Sequence, residues 1–473
     1  MLMDINPTFK VALIALLLKL AVSSVSDIHQ KRCEKVVSTW ASSSLSKKDA
    51  NDGHRSLRHL LFFLHIPRTG GRTYYHCILR KLYANDQECP RSYDKLRFDP
   101  SKQDCKLLVT HDDYSIISKF PEEKVSVVTI LRNPIHRVLS TYEFSIEVAA
   151  RFLVHPNLTS ATRMSGRIRS RAGTVSTLDI WPWKHLVPWM REDLFSRREA
   201  RKLNGIGNSK TSNPYEMKEI VMPLDDYVKD PVTLDIVHNG ATLQITGLTN
   251  NSYSPEAHEV RRCIQTYTDL GEYVLRVAKK KLDSMLYVGL TENHRESASM
   301  FAYIVGSQVI SQSLTSTSSL KKPESNSSDT HLPPDHKDDV DNEQLEEFNQ
   351  GNMTVDKLMN SYEDCIASLR KSQAKRRSDS FRRIAPAVFS KQDRLRVSES
   401  VTEHIKALNY LDMELYKYAV DLFKNQTVAK STNINYYLSS IYGNFMILIA
   451  VLVVVVIIFL NLSAKRPSSK VKL

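Results

Sequence analysis

The run Leu60-Leu61-Phe62-Phe63-Leu64-His65-Ile66-Pro67-Arg68-Thr69-Gly70-Gly71-Arg72-Thr73 constrains this chain more than any other segment. An unbroken apolar stretch before Pro, a basic residue, Thr and a Gly pair predicts a buried strand ending in a loop, with a helix behind it. Glycines let backbone approach a ligand closely, and the amides at a helix start favour negative charge. The segment therefore predicts a cradle for phosphate or a phosphate-like group; the alternative is an ordinary strand-to-helix turn with glycines for geometry alone. The nucleotide P-loop needs a Gly-Lys-Ser/Thr ending at fixed spacing, and neither that spacing nor its Lys is present.

A second anion site is predicted from Val127-Val128-Thr129-Ile130-Leu131, which runs into Arg132-Asn133-Pro134-Ile135-His136-Arg137-Val138-Leu139-Ser140. The β-branched run reads as a buried parallel strand, and Pro134 suits a first helical position. Arg132 then stands at the strand tip and Ser140 about two turns into the helix, where a planar guanidinium and a hydroxyl can share one phosphate.

Together these segments resemble the 5′-phosphosulfate loop and 3′-phosphate site of sulfotransferases, which take 3′-phosphoadenosine 5′-phosphosulfate (PAPS) as donor. The forms "HIPRTGG" and "LRNPIHRVLS" are similar to the heparan sulfate 6-O-sulfotransferase branch. The likeness continues in "MPLDDYV" from Met222, "NGATLQITGL" from Asn239, "YVGLTENHRES" from Tyr287 and "LNYLDMELYKYAVDLF" from Leu408. It covers Leu60 to about Phe423, with a divergent middle and one insertion.

The resemblance implies a P-loop-like sulfotransferase fold with PAPS held by Arg68, Thr69, Gly70, Gly71, Arg72, Thr73, Arg132 and Ser140. Loop amides, Thr hydroxyls and the Arg68 charge would stabilise the transferring group and its leaving phosphate. The family usually has Lys where Arg68 stands; Arg keeps the charge but is a poor proton donor. The acceptor hydroxyl needs a base. His111 follows the run Leu107-Leu108-Val109-Thr110 and resembles the family's strand-tip His, and His76 is the rival. Asp112 or Asp113 could orient the base, although an exposed turn carboxylate is the plainer reading. Asn239 and Gln244 would approach the nucleotide by resemblance, and no motif requires a metal.

Strand-like runs at Leu60–Ile66, Leu107–Thr110, Val125–Leu131, Leu243–Gly247 and Tyr287–Leu290 alternate with helical patterns. That predicts an α/β fold around a mostly parallel sheet flanked by helices. Helical periodicity recurs over 355–372 and 403–422. Trp181 and Trp183, with the basic runs 163–171 and 197–202, could line an acceptor groove or form a buried aromatic pair beside a solvated basic helix.

The ends set topology. An apolar core at Val11–Leu18, too short for a span, follows Lys10 and precedes small residues, as in a secretory signal peptide. The apolar segment 441–462 is long enough to cross a bilayer, and Lys465, Arg466, Lys470 and Lys472 behind it place the C-terminus in the cytosol. The expected order is a signal peptide over 1–24, a poorly ordered lumenal stem over 25–58 and the sulfotransferase domain over 59–310. A disordered insertion over 311–346 follows, then C-terminal helices of the same domain over 347–428, a transmembrane helix over 441–462 and a cytoplasmic tail over 463–473.

N-x-Ser/Thr sequons at Asn157, Asn250, Asn326, Asn352 and Asn425 fit the secretory pathway. Of six cysteines, Cys89 and Cys105 are the pair expected to bridge, while Cys77 reads as a buried hydrophobe. Heparan sulfotransferases of this branch have an N-terminal anchor. A signal peptide plus a C-terminal span instead resembles the plant-type tyrosylprotein sulfotransferases, which carry the same heparan-like domain. The expectation is a type I Golgi membrane protein with a lumenal catalytic part that sulfates tyrosine in acidic peptides. Its charge of +13, from 65 basic and 52 acidic residues, suits such partners, and no nucleic-acid module is present. The rival readings are a glycan 6-O-sulfotransferase and a non-catalytic lumenal receptor for anionic cargo.

Overall fold

The computed structural model describes residues 7–46, 56–90, 98–100, 104–153, 181–203, 213–317, 353–381 and 389–427. Four short strands, β1 (Leu60–Leu64), β2 (Leu107–Thr110), β3 (Val125–Leu131) and β4 (Tyr287–Leu290), form one sheet in the order β2-β1-β3-β4. Every pair is parallel, with Leu64 beside both Thr110 and Thr129, and Leu131 beside Leu290. The strands are almost wholly buried, which is why they read as continuous apolar runs. With β1 flanked by β2 and β3, the residues after the strands (His65, His111, Arg132 and Thr291) gather along one edge. Such an edge is the usual ligand crevice of a parallel sheet.

The main helices are α1 (Pro7–Ser46), α2 (Gly71–Tyr74), α3 (Pro134–Arg151), α4 (Trp183–Leu203), α5 (Gly240–Thr246), α6 (Ala257–Thr266), α7 (Gly271–Ser284), α8 (Ser307–Thr317), α9 (Val355–Phe381) and α10 (Glu399–Leu408). Asn133 caps α3 through its side-chain oxygen, which accepts from the amides of Ile135 and His136. Val138, Leu139, Tyr142 and Ile146 of α3 pack with Leu186, Val187 and Met190 of α4 in one core.

Three sequence expectations are corrected. The segment 243–247 is helical rather than extended: Asn239 at φ 52° and Gly247 at φ 78° bracket α5 in left-handed conformation. Its alternating polar residues Thr242, Gln244 and Thr246 are all buried, which is possible because each has a hydrogen-bond partner. The stem is not unstructured over 27–46. Cys33, Val37 and Ala41 recur at helical spacing and are buried, and Cys33 is disulfide-bonded to Cys263 of α6. The insertion begins later than expected, because α8 continues to Thr317 with Gln308 and Gln312 bonded to the backbone of Leu57; residues 318–346 lie outside the described residues.

The expected Cys89–Cys105 bridge is present. Cys77, read as a mere hydrophobe, is joined to Cys365 and ties the helical segment behind the glycine loop to α9. Residues Met1–Val420 form one compact unit that contains the sheet. A second unit, Asp421–Leu473, is described only over 421–427, which are helical. No helix among the described residues is long and apolar enough to cross a membrane, and the segment 441–462 lies outside them.

Candidate active site

The loop after β1 is drawn tight by its own carbonyls. Thr69 Oγ1 donates to the Ile66 carbonyl at 2.9 Å, Arg132 Nη1 to the Arg68 carbonyl at 3.0 Å, and Thr291 Oγ1 to the Thr69 carbonyl at 2.6 Å. Arg68 (φ 69°) and Gly70 (φ 88°) both take left-handed backbone, which turns the chain sharply into α2. The amides of Arg68, Thr69, Gly70 and Gly71 donate to no group among the described residues. They are the donors that an anion would accept from. The Thr69 hydroxyl is committed to Ile66 and buried, so Thr69 has only its amide to offer.

Arg68 and the second site meet. Arg68 Nε donates to Ser140 Oγ at 3.0 Å, and its guanidinium carbon lies 4.3 Å from the centre of the Phe144 ring. Ser140 and Phe144 stand one turn apart on α3. Burial and the charge of Arg132 push the Arg68 guanidinium down to about 10, still cationic at neutral pH. Arg132 Nε is buried with no hydrogen-bond partner. An orphaned guanidinium N–H beside unfilled amides is the chemistry of a multi-oxygen anion site. Among the described residues no cluster of three or more His, Cys, Asp and Glu could hold a metal ion.

His111 closes the other side of the crevice. Its Nδ1 lies 2.9 Å from the carbonyl oxygen of His65, and its ring stacks on the His65 ring with centroids 4.2 Å apart. A carbonyl only accepts, so Nδ1 carries the hydrogen and Nε2 keeps the lone pair. Burial, offset in part by the His65 carbonyl, lowers His111 to about 4; burial and the neighbouring His111 hold His65 well below the usual imidazole range. Both rings are therefore neutral near pH 7.

Gln244 of α5 fastens this corner: its Nε2 is within hydrogen-bond distance of the carbonyls of His65, His111 and Asp112, at 3.2, 2.8 and 3.2 Å. The ring of His65 fills the space above Gly71, where any Cβ would fall inside it.

Against this geometry, the protein-tyrosine sulfotransferase of Arabidopsis thaliana is 52% identical to the chain over 502 aligned positions spanning the whole of both proteins. The chain belongs to the protein-tyrosine sulfotransferase family. No family model matches it.

In this member of the family, Arg68 bonds Ser140 through its side chain and Arg132 through its carbonyl, in the loop that continues through Thr69, Gly70 and Gly71. Arg72 is exposed at the helix start, and Thr73 donates its amide to the Gly70 carbonyl. His76 has its ring against Tyr75, while His111 stacks on the residue that opens the loop.

Asp112 and Asp113 are not exposed turn carboxylates. Both are buried: Asp112 accepts from Thr110 and Asn251, and Asp113 caps the turn at Ser115 and accepts from Thr249. The side-chain oxygen of Asn239 accepts from the amides of Leu411 and Asp412.

Of the expected acceptor groove, Trp181 and Trp183 are buried, with Trp183 edge-on to Phe144, and Arg197 is paired with Asp193. The run 163–171 lies outside the described residues. Sequence reasoning missed His65 as a site residue and missed Arg394, whose guanidinium binds Glu143 of α3 through two bonds of 2.7 and 2.6 Å. His65 was legible in its place beside the Pro-Arg-Thr-Gly-Gly loop; Arg394, 251 residues from Glu143, carried no local signal.

Proposed function

We propose that the chain transfers the sulfuryl group of PAPS to the phenolic oxygen of tyrosine in secreted peptides and proteins. The observation that carries this reading is the juxtaposition, at one sheet edge, of a neutral imidazole with a fixed tautomer and a loop of unfilled amides flanked by arginines. Family membership supports tyrosine as the acceptor.

His111 Nε2 accepts the phenol proton as the phenolic oxygen bonds to sulfur. The bond from sulfur to the bridging phosphate oxygen breaks, and its electron pair leaves with adenosine 3′,5′-bisphosphate. Arg68 and the amides of residues 68–71 stabilise the charge that develops on that leaving group. Arg132 and Ser140 hold the 3′-phosphate, with the orphaned Arg132 Nε as a ready donor.

The same reading places the protein in the Golgi membrane as a single-pass type I protein, with the sulfotransferase unit in the lumen. The apolar segment 441–462 with its basic flank and three disulfides support it. An excess of basic residues favours acidic sequence around the target tyrosine. The test incubates the full chain with labelled PAPS beside acidic tyrosine peptides, their neutral counterparts and heparan chains. Label on the acidic peptides is expected. Label on heparan with none on any tyrosine peptide overturns the reading.

A further inference from the structure

The second half of α9 is fastened at both ends to elements that carry the site. Cys365 is bridged to Cys77, in the helical segment behind the glycine loop. Further on, Arg370 Nη2 lies 3.1 Å from Nε2 of His294, in the segment that follows the Thr291 bonded to the Thr69 carbonyl. At the far end Ser380 is buried and accepts from Arg151 Nε of α3 at 3.4 Å. From Arg370 to Ser380 the helix therefore runs roughly 15 Å, from the loop after β4 to the C-terminal end of α3.

Charge on α9 is divided along its length. The first half holds Asp356, Glu363 and Asp364, with Glu363 paired to Arg295. Arg370, Lys371, Lys375, Arg376 and Arg377 then follow with no carboxylate among them. At the helical repeat, Arg370, Lys371, Lys375 and Arg377 share one face with the small residues Ala374 and Ser378. That face is open: Arg377 is half-buried and the others are exposed. Lys371, Lys375 and Arg377 bond to no group among the described residues.

Like charges one turn apart destabilise a helix. The helix dipole favours cations only within the last turn, and Lys371 stands about three turns before Phe381. A merely solvated helix face interleaves both signs. A one-sign face with small residues between its cations instead suits an anionic partner.

The sheet sets how far this face is from the base. His111 follows β2 and the segment to His294 follows β4, at opposite ends of the order β2-β1-β3-β4. Three strand spacings of ~4.8 Å separate them, about 14 Å in all. An extended peptide rises about 3.3 Å per residue, so one with its tyrosine at His111 meets α9 about four positions away.

We propose that the face of α9 formed by Arg370, Lys371, Lys375 and Arg377 docks an acidic stretch of the acceptor polypeptide, lying about four or more positions from the target tyrosine. This rests on the reading of the chain as a tyrosine sulfotransferase and deepens it by assigning the acidic preference to one surface.

The test assays the full chain with labelled PAPS on three peptides that share one tyrosine and its immediate neighbours. One carries Asp and Glu about four to seven positions before the tyrosine, one carries them after it, and one has Ser and Gln in both places. The wild-type chain is expected to favour one of the two acidic peptides, because an extended chain reaches α9 from one side only. Each exposed ion pair is worth a factor of roughly 1.4–5. In the triple variant Lys371→Gln, Lys375→Gln and Arg377→Gln the preference should therefore fall roughly threefold to a hundredfold, through KM more than kcat. The loss should be confined to the favoured peptide. Reversal by Lys371→Glu, Lys375→Glu and Arg377→Glu should instead favour a peptide with Lys in the acidic positions, a gain that damage to the fold does not produce.

Equal losses on all three peptides, or a preference untouched in the triple variant, overturn the role of α9 alone. Weaker heparan binding with unchanged peptide kinetics overturns it as well and assigns the face to a glycan. A wild-type chain that labels no tyrosine peptide overturns the tyrosine reading and this proposal with it.

Discussion

The Nδ1 of His111 lies 2.9 Å from the carbonyl oxygen of His65, while the two imidazoles stack with centroids 4.2 Å apart. One bond fixes which nitrogen can act as base, and one stack fixes where it points. The same His65 ring fills the space over Gly71, so the His111 imidazole and the glycine loop both rest on a single residue.

Substituting the base separates its role from that of the loop. His111→Ala should lower kcat by about 10²–10⁴-fold with nucleotide affinity nearly unchanged, because a base acts on the acceptor. His76→Ala should stay active, its ring resting on Tyr75. Single-turnover rates and nucleotide calorimetry read both. An active His111→Ala beside a dead His76→Ala would exchange the two assignments.

The lowered His111 value predicts an unusual acid limit. An imidazole of ordinary pKa, about 6.5, loses its base form tenfold per unit below that point, whereas His111 at about 4 stays neutral through mildly acidic pH. The kcat/KM profile should be flat from pH 7 to near 5. Stability runs in a known direction: between about 6.5 and 4 the unfolded chain binds a proton that folded His111 refuses, so stability falls as pH falls through that window. His65, also lowered, adds to the slope. Initial rates combined with unfolding curves at each pH separate the two effects. An acid limb centred near 6.5 in the folded enzyme would contradict the burial argument.

Gly71→Ala tests the His65 contact directly. The new methyl would fall inside the His65 ring, and overpacking of this kind typically costs about 1–3 kcal/mol, so thermal unfolding should show a modest loss of stability. Activity should fall at least tenfold on the proximity argument that small displacements of reacting groups are costly, because the new methyl drives the His65 ring off His111. Full activity in a folded Gly71→Ala chain would show that the stack is dispensable.

Where the chain speaks locally, its sequence was legible. Leu60–Leu64, Leu107–Thr110, Val125–Leu131 and Tyr287–Leu290 are strands as expected, since a strand buried on both faces needs only a continuous apolar run. The Pro, Gly and Arg punctuation at their ends marked the loops where Arg68, Arg132 and Ser140 meet. The segment 243–247 misled because seven residues bracketed by left-handed Asn239 and Gly247 are too few to distinguish a period of two from a helix turn. Partners distant in sequence left no trace: Cys77 with Cys365, Gln244 with the carbonyls of His65 and His111, and Arg394 with Glu143 are set by tertiary packing alone.

Asp412 provides the most demanding test of how the site is supported from a distance. Its carboxylate pairs with Arg137 of α3 at 2.8 Å, both side chains only 1% exposed. It also accepts from the amides of Ala241 and Thr242 and the hydroxyl of Thr242 at the start of α5. That helix carries Gln244 to the carbonyls of His65 and His111. Asp412→Ala leaves the Arg137 charge buried without its counterion, a loss that typically costs about 3–5 kcal/mol. Denaturant unfolding should show a loss of that order. Joint replacement with Arg137→Met should recover much of the stability, because no charge is then stranded. The double variant should nonetheless remain slow, since α5 still lacks the carboxylate that anchors its first turn and thereby Gln244. Recovery of stability together with full kcat would show that Asp412 supports the fold and not the alignment of His111.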